Sequence, residues 1–225
     1  GSHTVTASGD ARWFAPKVGA GAMAFDGDGD YFSLADSNDW DFGTGAFAME
    51  TWVKGNSTQT SGSYKGIIST GGTSWGSGEW TLSMNTSNGF MEWWINDEGG
   101  SSLITSTTDF KDDSWHHLAI AKDGSNNTKM FVDGVQEDST YTASYSLSTP
   151  STGLVIGDNN YGSDRDFSGY MDEIRISKTA RYTTTFTPST TAFTDDINTV
   201  LLLNADINQG TWNPDTSTGL AISTD

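Results

Sequence analysis

Apolar and polar residues alternate along many short stretches of the chain, which is the spacing of a β-strand with one buried face. In the stretch 90–95, for example, Met91, Trp93 and Ile95 form an apolar row, and the residues between them form a mixed row. Helical periodicity is scarce, and turn-forming Gly residues separate the stretches, so the pattern predicts an all-β protein. The predicted strands span residues 22–25, 31–34, 47–54, 66–69, 80–84, 90–95, 102–106, 116–122, 129–132, 153–156, 171–177 and 199–203.

The alternation also assigns side chains to faces, because successive residues of a strand point to opposite sides of the sheet. His116 alternates in phase with the apolar Leu118 and Ile120, and it is therefore predicted to be a core histidine with its polar atoms satisfied. Neighbouring His117 faces the other way, so the two cannot bind one metal through the same face. The aromatic side chains predicted on outward faces are Trp52, Phe90, Trp94 and His117.

The composition of the chain limits the classes of partner that it is expected to bind. Eleven Lys and Arg residues against 29 Asp and Glu give a net charge of −18. This charge repels phosphate backbones and anionic headgroups, so neither nucleic acid nor membrane insertion is expected. The acidic surface suits either divalent cations or simple solubility. Because the chain has no Cys, disulfides and thiolate metal sites are excluded.

Short motifs occur along the chain in a fixed order: Phe25-Asp26-Gly27, Trp115-His116-His117, Phe131-Val132-Asp133-Gly134, and Gly169-Tyr170-Met171-Asp172-Glu173-Ile174-Arg175-Ile176. Together they resemble the laminin-G-like branch of the concanavalin A-like lectin and glucanase family over roughly residues 20–205. The resemblance implies a two-sheet antiparallel jelly-roll sandwich. The segment 180–203 is similar to a subtype of tailed-phage structural proteins and marine bacterial surface proteins, which implies an extracellular location, on a cell surface or a virion.

We predict three parts of the chain, the first from its own residues and the other two from this resemblance. Residues 1–3 are typical of a cleaved tag, residues 4–205 form the sandwich, and residues 206–225 are a C-terminal tail or the lead-in to a following repeat. In the family a Leu-rich strand often precedes the Phe-Asp-Gly motif, whereas here residues 200–203 follow the last acidic strand. We therefore hypothesise one unit of a tandem array, whose last strand closes its own sheet and which contacts a neighbouring repeat or a structural-protein partner.

A turn rich in carboxylates follows the first predicted strand. Asp26, Asp28 and Asp30 stand at alternate positions, as in an EF-hand loop. The EF-hand interpretation fails because Tyr31 stands where that loop needs Gly and Ser37 stands where it needs a bidentate Glu. A calcium site at the rim of the sandwich is still expected, because the resembled family often binds Ca²⁺ and this ion takes six to eight oxygens.

Asp172 is the predicted fourth ligand of that calcium site. It is expected to share a strand face with Ile174 and Ile176, and a carboxylate pointing into a core needs a cation or several hydrogen-bond donors. Calcium held jointly with the Asp26 turn would provide the cation. The alternative is that Asp172 accepts backbone N–H bonds, and that the three turn carboxylates only solvate a hairpin.

The resemblance also implies glycan recognition, in which an aromatic ring stacks on a sugar and polar side chains fix its hydroxyls. One candidate surface is the outward row with Trp52, Trp94 and His117, together with two Glu residues. The other is the polar loop 158–165. Its candidate residues are Asp158, Asn159, Tyr161 and Arg165. As alternatives, the outward Trp residues lie under the C-terminal tail, and the Asn-rich loop is an ordinary turn.

Paired catalytic carboxylates are not found. Hydrolases on related jelly rolls place them at alternate positions of one strand, whereas Glu50 and Glu92 each lack a partner two residues away. We therefore expect a non-catalytic module that recognises carbohydrate, with the assistance of calcium. The alternative is a structural or adhesive unit that acts through protein contacts.

Overall fold

The computed structural model describes residues 3–9, 12–70, 78–96, 102–148, 153–159, 161–205 and 220–221. Strands joined by turns make up all of the regular structure in these ranges, and none of them holds a helix that would reach across a lipid bilayer. In chain order the strands are β1 (Thr4–Ser8), β2 (Arg12–Phe14), β3 (Ala22–Asp26), β4 (Tyr31–Leu34), β5 (Phe47–Gly55), β6 (Tyr64–Thr70), β7 (Trp80–Asn85), β8 (Met91–Ile95), β9 (Ile104–Thr105), β10 (His116–Lys122), β11 (Thr128–Val132), β12 (Val135–Tyr141), β13 (Leu154–Ile156), β14 (Ser168–Ser177), β15 (Thr199–Leu203) and β16 (Leu220–Ala221).

The strands form two antiparallel sheets. The first has the order β16-β1-β4-β13-β6-β7-β8-β9. The second has the order β12-β11-β10-β5-β14-β3-β2, and β15 pairs with the end of β14. Strands distant in sequence are neighbours in both sheets, as in a jelly roll. The predicted all-β, two-sheet antiparallel sandwich is therefore confirmed.

The core lies between the two sheets. The apolar row Met91, Trp93 and Ile95 is fully buried in it, as the alternation predicts. Trp93 packs against Phe47 of the opposite sheet and against Trp80 of the neighbouring strand, with ring centroids 5.6 and 5.5 Å apart. These aromatic side chains remove a large apolar area from water, which is the main favourable term in folding.

Most predicted strands are present, and three of them match the structure residue for residue: β4, β10 and β15. The pattern misses β1, β2, β12 and β16. Strand β12 is an edge strand whose sequence is largely polar, and Val135 is one of its exposed residues. Asp138 adopts a positive φ of 52° in the middle of it, which breaks the regular alternation. The predicted strand 102–106 shortens to β9.

The predicted direction of Asp172 is wrong because a β-bulge interrupts β14. Asp172 pairs with Trp52 and Arg175 pairs with Glu50, so three steps on β14 match two steps on β5. The extra residue is Glu173, with a positive φ of 52°. A bulge places one additional residue on one strand and shifts the alternation after it. Asp172 therefore lies on the outer face, away from the core isoleucines of β14.

The predicted location of His116 in the core and the predicted exposure of His117 to solvent are also wrong. His116 lies at the open end of β10, where its Nδ1 and Nε2 are 2.7 and 3.2 Å from carboxylate oxygens of Asp133 and Asp112. His117 is completely buried, although it points to the outer face. The reason is that chain segments cover this face of the second sheet, which alternation within one strand does not reveal.

We call residues 178–198, which connect β14 to β15, the cover segment. Its Tyr182 and Phe186 stack with ring planes 6° apart, and Phe186 packs edge-on against His117 at 5.6 Å. On the outer face of the first sheet, residues of the loop after β13 and of the sheet itself line an open cleft, so part of that face is not covered by the described residues. The predicted tail 206–225 lies outside the described residues except for β16.

Candidate functional site

A cleft of about 400 Å³ opens on the outer face of the first sheet. Its volume falls within the range of small-ligand sites. Thr81 of β7 lies directly opposite Trp94 of β8 in the antiparallel ladder, so both side chains point to this face. The loop after β13 forms the other wall. The lining residues are Tyr64, Thr81, Ser83, Trp94, Ile95, Asn96, Asn159, Tyr161 and Arg165.

Two aromatic rings form the sheet side of the cleft. Trp94 and Tyr64 meet edge to face, with centroids 5.1 Å apart. The Nε1 of Trp94 donates to Glu92 at 2.8 Å, and the second carboxylate oxygen of Glu92 accepts from Asn85 at 2.9 Å. The indole ring is thus held in one orientation before any ligand arrives, which lowers the entropic cost of binding.

The loop of residues 157–165 is fastened to β6. The backbone N–H of Gly66 donates to the carbonyl of Arg165 at 3.1 Å. A Cβ at Gly66 would overlap the backbone of Asp158, so only glycine allows the loop to lie this close. Lys65 is fully buried, and its ammonium group donates to the carboxylate and the carbonyl of Asp164 at 2.5 and 3.0 Å.

Polar groups are distributed around the aromatic wall. The Nε of Arg165 donates to the carbonyl of Tyr161 at 3.1 Å, and its guanidinium carbon lies 5.8 Å from the Tyr64 ring centroid. Asn159 accepts from the Tyr161 N–H at 3.0 Å. The Ser83 hydroxyl is buried and has no hydrogen-bond partner within the described ranges. Such a group costs about 1–3 kcal/mol, which a ligand hydroxyl would recover.

The structure thus joins parts of the two predicted glycan surfaces. Trp94 comes from the outward strand row, whereas Asn159, Tyr161 and Arg165 come from the loop, and all four line one cleft. Asp158 lies beside the cleft, is buried and accepts from the N–H of Asn159 at 2.6 Å. Asn160 lies outside the described residues.

Tyr64, Thr81, Ser83, Ile95 and Asn96 line the cleft without having been predicted. A signal for two of them was present in the sequence, because the polar residues Thr81 and Ser83 alternate with the apolar residues of β7. Pairing β7 with β8 places this polar row next to Trp94. No such signal exists for Tyr64, whose position depends on the register between β6 and β7.

The predicted surface around Trp52 and His117 does not exist as an exposed surface. Trp52 is 6% exposed and packs with Val18 and Phe193, and the Lys17 ammonium lies 4.4 Å from its ring centroid. The cover segment and the turn after β2 supply these contacts. The prediction that both aromatic side chains face solvent is wrong, because these segments close over the sheet.

Glu50 is the centre of a buried polar cluster beneath the same cover. It accepts from Arg175 at 2.6 Å and from the Tyr182 hydroxyl at 2.6 Å, and His117 Nε2 lies 3.1 Å away. Burial alone would raise the pKa of Glu50, but the His117 hydrogen bond and the Arg175 charge hold it below its ordinary value. Burial and the Glu50 charge raise the pKa of Tyr182. The carboxylate therefore stays ionised and fixes the cover to the sheet.

The four predicted calcium ligands do not assemble into one site. The carboxylate of Asp172 accepts from the backbone N–H groups of Lys17, Val18 and Glu173 at 2.9–3.0 Å. Asp26 lies opposite Ser168, four residues along β14 from Asp172, or about 13 Å at the rise of a strand. Within the described ranges, no group of three or more His, Asp or Glu side chains is placed to hold a metal.

The turn that carries the other three carboxylates is held by its own hydrogen bonds. Asp26 accepts from the N–H of Asp28 at 2.8 Å, and Asp30, which is buried, accepts from the N–H of Asp26 at 2.9 Å. These contacts fit the alternative in which the carboxylates stabilise a hairpin. Calcium binding stays a prediction, and calorimetry with added Ca²⁺ tests it.

A family model described as the concanavalin A-like lectin/glucanases superfamily (Laminin_G_3) matches residues 26–185. No curated protein matches the chain in sequence. Among solved structures, a "putative carbohydrate binding protein" from Bacteroides ovatus is similar with a TM-score of 0.58 and 17% identity, over 93% of this chain and 54% of that one.

Two further solved structures are similar as well. The binding domain of Paraclostridial Mosquitocidal Protein 1 has a TM-score of 0.62 and 11% identity, over 79% of this chain and 44% of that one. Botulinum neurotoxin type C, whose cell entry depends on two ganglioside molecules, has a TM-score of 0.60 and 14% identity, over 80% and 44%. The chain thus spans about half the length of these proteins, and at such identities the likeness shows the fold.

Proposed function

Because the chain belongs to the concanavalin A-like lectin/glucanases superfamily, we propose that it is a non-catalytic recognition module that binds carbohydrate in the cleft beside Trp94. The observation that carries the proposal is the convergence of Trp94 with Asn159, Tyr161 and Arg165 around one cavity. An aromatic face surrounded by a few directed polar groups is the combination expected of a sugar site.

Binding would combine stacking with hydroxyl recognition. The apolar C–H face of a sugar ring packs on the indole of Trp94, which Glu92 holds in place. The side-chain amides of Asn96 and Asn159 and the hydroxyl of Ser83 offer donors and acceptors to the sugar hydroxyls. Stacking supplies affinity that depends little on the sugar, and the polar groups select among sugars.

The solved structures add support of a general kind. The protein from Bacteroides ovatus is described as carbohydrate binding, and the neurotoxin is described as interacting with gangliosides. Each shares the fold with this chain over about half of its own length, so this support stays at the level of the fold. Calcium assistance and display on a virion or a cell surface stay predictions, as does contact with a neighbouring repeat.

A glycan array tests the proposal. The wild-type protein is expected to give specific hits, and Trp94→Ala and Asn159→Ala are expected to remove them while each variant stays folded, which its thermal unfolding transition verifies. Ile197→Ala is the matched control, because Ile197 is an apolar side chain exposed at 99% outside the cleft. Repeating the array with a chelator tests calcium assistance separately.

Absence of any hit would contradict the proposal. In that case a structural or adhesive unit acting through protein contacts becomes the better account. Sedimentation at rising concentration would then show self-association of the chain.

A further inference from the structure

Arg165 is the only charged residue among those that line the cleft within the described ranges, and it is a cation in a chain of net charge −18. Its Nε is engaged by the Tyr161 carbonyl, and the described residues provide no hydrogen-bond partner for its two terminal nitrogens. These nitrogens form the planar edge that binds a carboxylate through two parallel hydrogen bonds.

Two acidic residues flank Arg165 in the sequence, and the pKa of Asp164 is lowered by the hydrogen bond from Lys65 and, to a smaller extent, by the charge of Arg165. Asp164 is paired with the buried ammonium of Lys65 at 2.5 Å. Asp158 is buried. The pKa of Asp166 is raised by its own burial and by the charge of Asp158, which disfavours the ionised form of Asp166. Glu92 also lies at the cleft, where its carboxylate is engaged by the indole N–H of Trp94 at 2.8 Å.

A second cleft of about 420 Å³ adjoins the first, and Tyr64 lines both. Lys111 is the only charged residue lining this second cleft within the described ranges. Its ammonium donates to the carbonyls of Gln59 and Thr86 at 3.2 and 2.5 Å, which leaves one of its three donors. The two clefts therefore share one aromatic ring and each has one cation in its lining, and we call the pair of clefts the groove.

From this arrangement we infer that the ligand is an acidic oligosaccharide, with a sugar carboxylate bound by Arg165 and the chain continuing past Tyr64 towards Lys111. The inference rests on the proposed function and adds the ligand's charge and length. The buried, unpartnered hydroxyl of Ser83 in the first cleft is an independent indication that a polar ligand completes this site.

The experiment is an array of glycans bearing uronic or sialic acids, printed beside the same glycans with their carboxyl groups reduced to alcohols. Wild type is expected to bind the acidic forms and to lose about tenfold or more in affinity on the reduced forms. Arg165→Gln should lose the same preference, and Arg165→Lys should retain part of it because the charge remains without the fork. Lys111→Gln should weaken binding of tetrasaccharides but leave disaccharides unaffected.

The control is Lys178→Gln, which removes a surface cation outside both clefts and should leave glycan binding unchanged. Melting temperatures verify that each variant is folded.

Equal binding of acidic and reduced glycans, or an Arg165→Gln protein with unchanged preference, would overturn the proposal of an acidic ligand and leave carbohydrate binding intact. Equal effects of Lys111→Gln on short and long glycans would overturn the extended groove. Loss of all hits, acidic and neutral, would overturn the proposed function itself.

Discussion

The outer faces of the two sheets carry the same sequence pattern but differ in their exposure to solvent. Glu50 and Trp52 on the second sheet, and Glu92 and Trp94 on the first, are each a Glu and a Trp two residues apart on one strand face. Trp52 is 6% exposed and sealed under the cover segment, whereas Trp94 is half-buried and forms the wall of a cleft.

The two carboxylates differ in the same way. Glu50 is surrounded by Arg175, His117 and Tyr182, so that its charge ties the cover to the sheet. Glu92 instead accepts from the indole of Trp94 and orients it towards the cleft. What covers a sheet face, rather than which residues point to it, thus decides whether a Glu and Trp pair serves stability or recognition.

The largest effect is expected from removing the anchor of the cover. Deleting residues 199–225 removes β15, whose Leu201 and Leu203 are buried in the core, and frees the end of the cover segment. Burial of each leucine contributes about 1.5–3 kcal/mol, so their loss and the uncovered face approach the whole stability of a domain. Thermal unfolding is expected to show a melting temperature lowered by tens of degrees, roughly 4 °C or less per kcal/mol at this size.

Two further variants show which part of the truncated segment causes the loss of stability. A chain ending at residue 205 keeps β15 and should melt well above the shorter chain. Leu201→Ala should cost about 2–5 kcal/mol in denaturant unfolding, which measures the core contribution even when the truncated chain fails to fold. A truncated protein that melts like wild type would refute the anchoring role of β15.

The matched pair Trp52→Ala and Trp94→Ala addresses the comparison directly. Trp52→Ala removes a ring buried under the cover and should cost about 3–5 kcal/mol of stability, with glycan affinity of the folded protein unchanged. Trp94→Ala should cost less, about 1–3 kcal/mol, because its ring is partly exposed although the buried Glu92 loses a donor, and it should abolish glycan binding. Denaturant titration and the glycan array measure the two quantities, and equal stability losses would mean that the two faces do not differ as described.

The sequence was sufficient to predict most of the fold, because the core rows alternate without interruption. Strands β4 and β10 match their predictions residue for residue, and Met91, Trp93 and Ile95 are buried as expected. The predicted direction of Asp172 was wrong because a bulge at Glu173 shifts the alternation. The residues around Glu173 do not predict its positive φ. Edge strand β12 was missed because a strand with two partly solvated faces has no apolar row.

The candidate site was predictable only in pieces. Trp94 and the loop residues Asn159, Tyr161 and Arg165 were each identified from local pattern, but their meeting depends on the close approach that Gly66 allows. The predicted outward direction of His117 and Trp52 is confirmed, but their predicted exposure to solvent is wrong. Periodicity within a strand determines direction, whereas exposure depends on segments far away in the chain.

A smaller effect is expected from pH acting through the sealed face. The folded pKa of Glu50 lies below its ordinary value of 4.5 because the His117 hydrogen bond and Arg175 outweigh burial. Its contribution to stability is therefore complete above pH 4.5 and is lost as pH falls through the lowered folded pKa. Glu50→Gln should lower stability at pH 7 by about 3 kcal/mol, the loss expected when a buried partner charge is left alone.

The pH experiment must distinguish the contribution of Glu50 to stability from the contributions of other carboxylates. The pKa values of Asp112, Asp123 and Glu137 are also held low, by hydrogen bonds that oppose burial, so wild type loses stability in acid through them as well. Denaturant midpoints at pH 7 and near pH 3 should differ less in Glu50→Gln than in wild type. Identical pH dependence of the two proteins would show that Glu50 is not the charge that holds the cover.

The smallest effect is expected at the rim of the open face. Tyr161 is 41% exposed and stands on the loop that forms one wall of the cleft, so Tyr161→Ala removes one contact without uncovering the core. Stability should change by less than about 0.5 kcal/mol, as for ordinary surface substitutions. Glycan affinity should fall by about three- to tenfold, because losing part of a stacking contact is worth up to about 1.4 kcal/mol. Val135→Ala removes an apolar side chain that is 55% exposed on edge strand β12, outside the cleft, and should leave affinity unchanged. If the two variants bind glycan alike in titrations, the Tyr161 ring does not take part in recognition and stacking is left to the ring of Trp94 on the sheet.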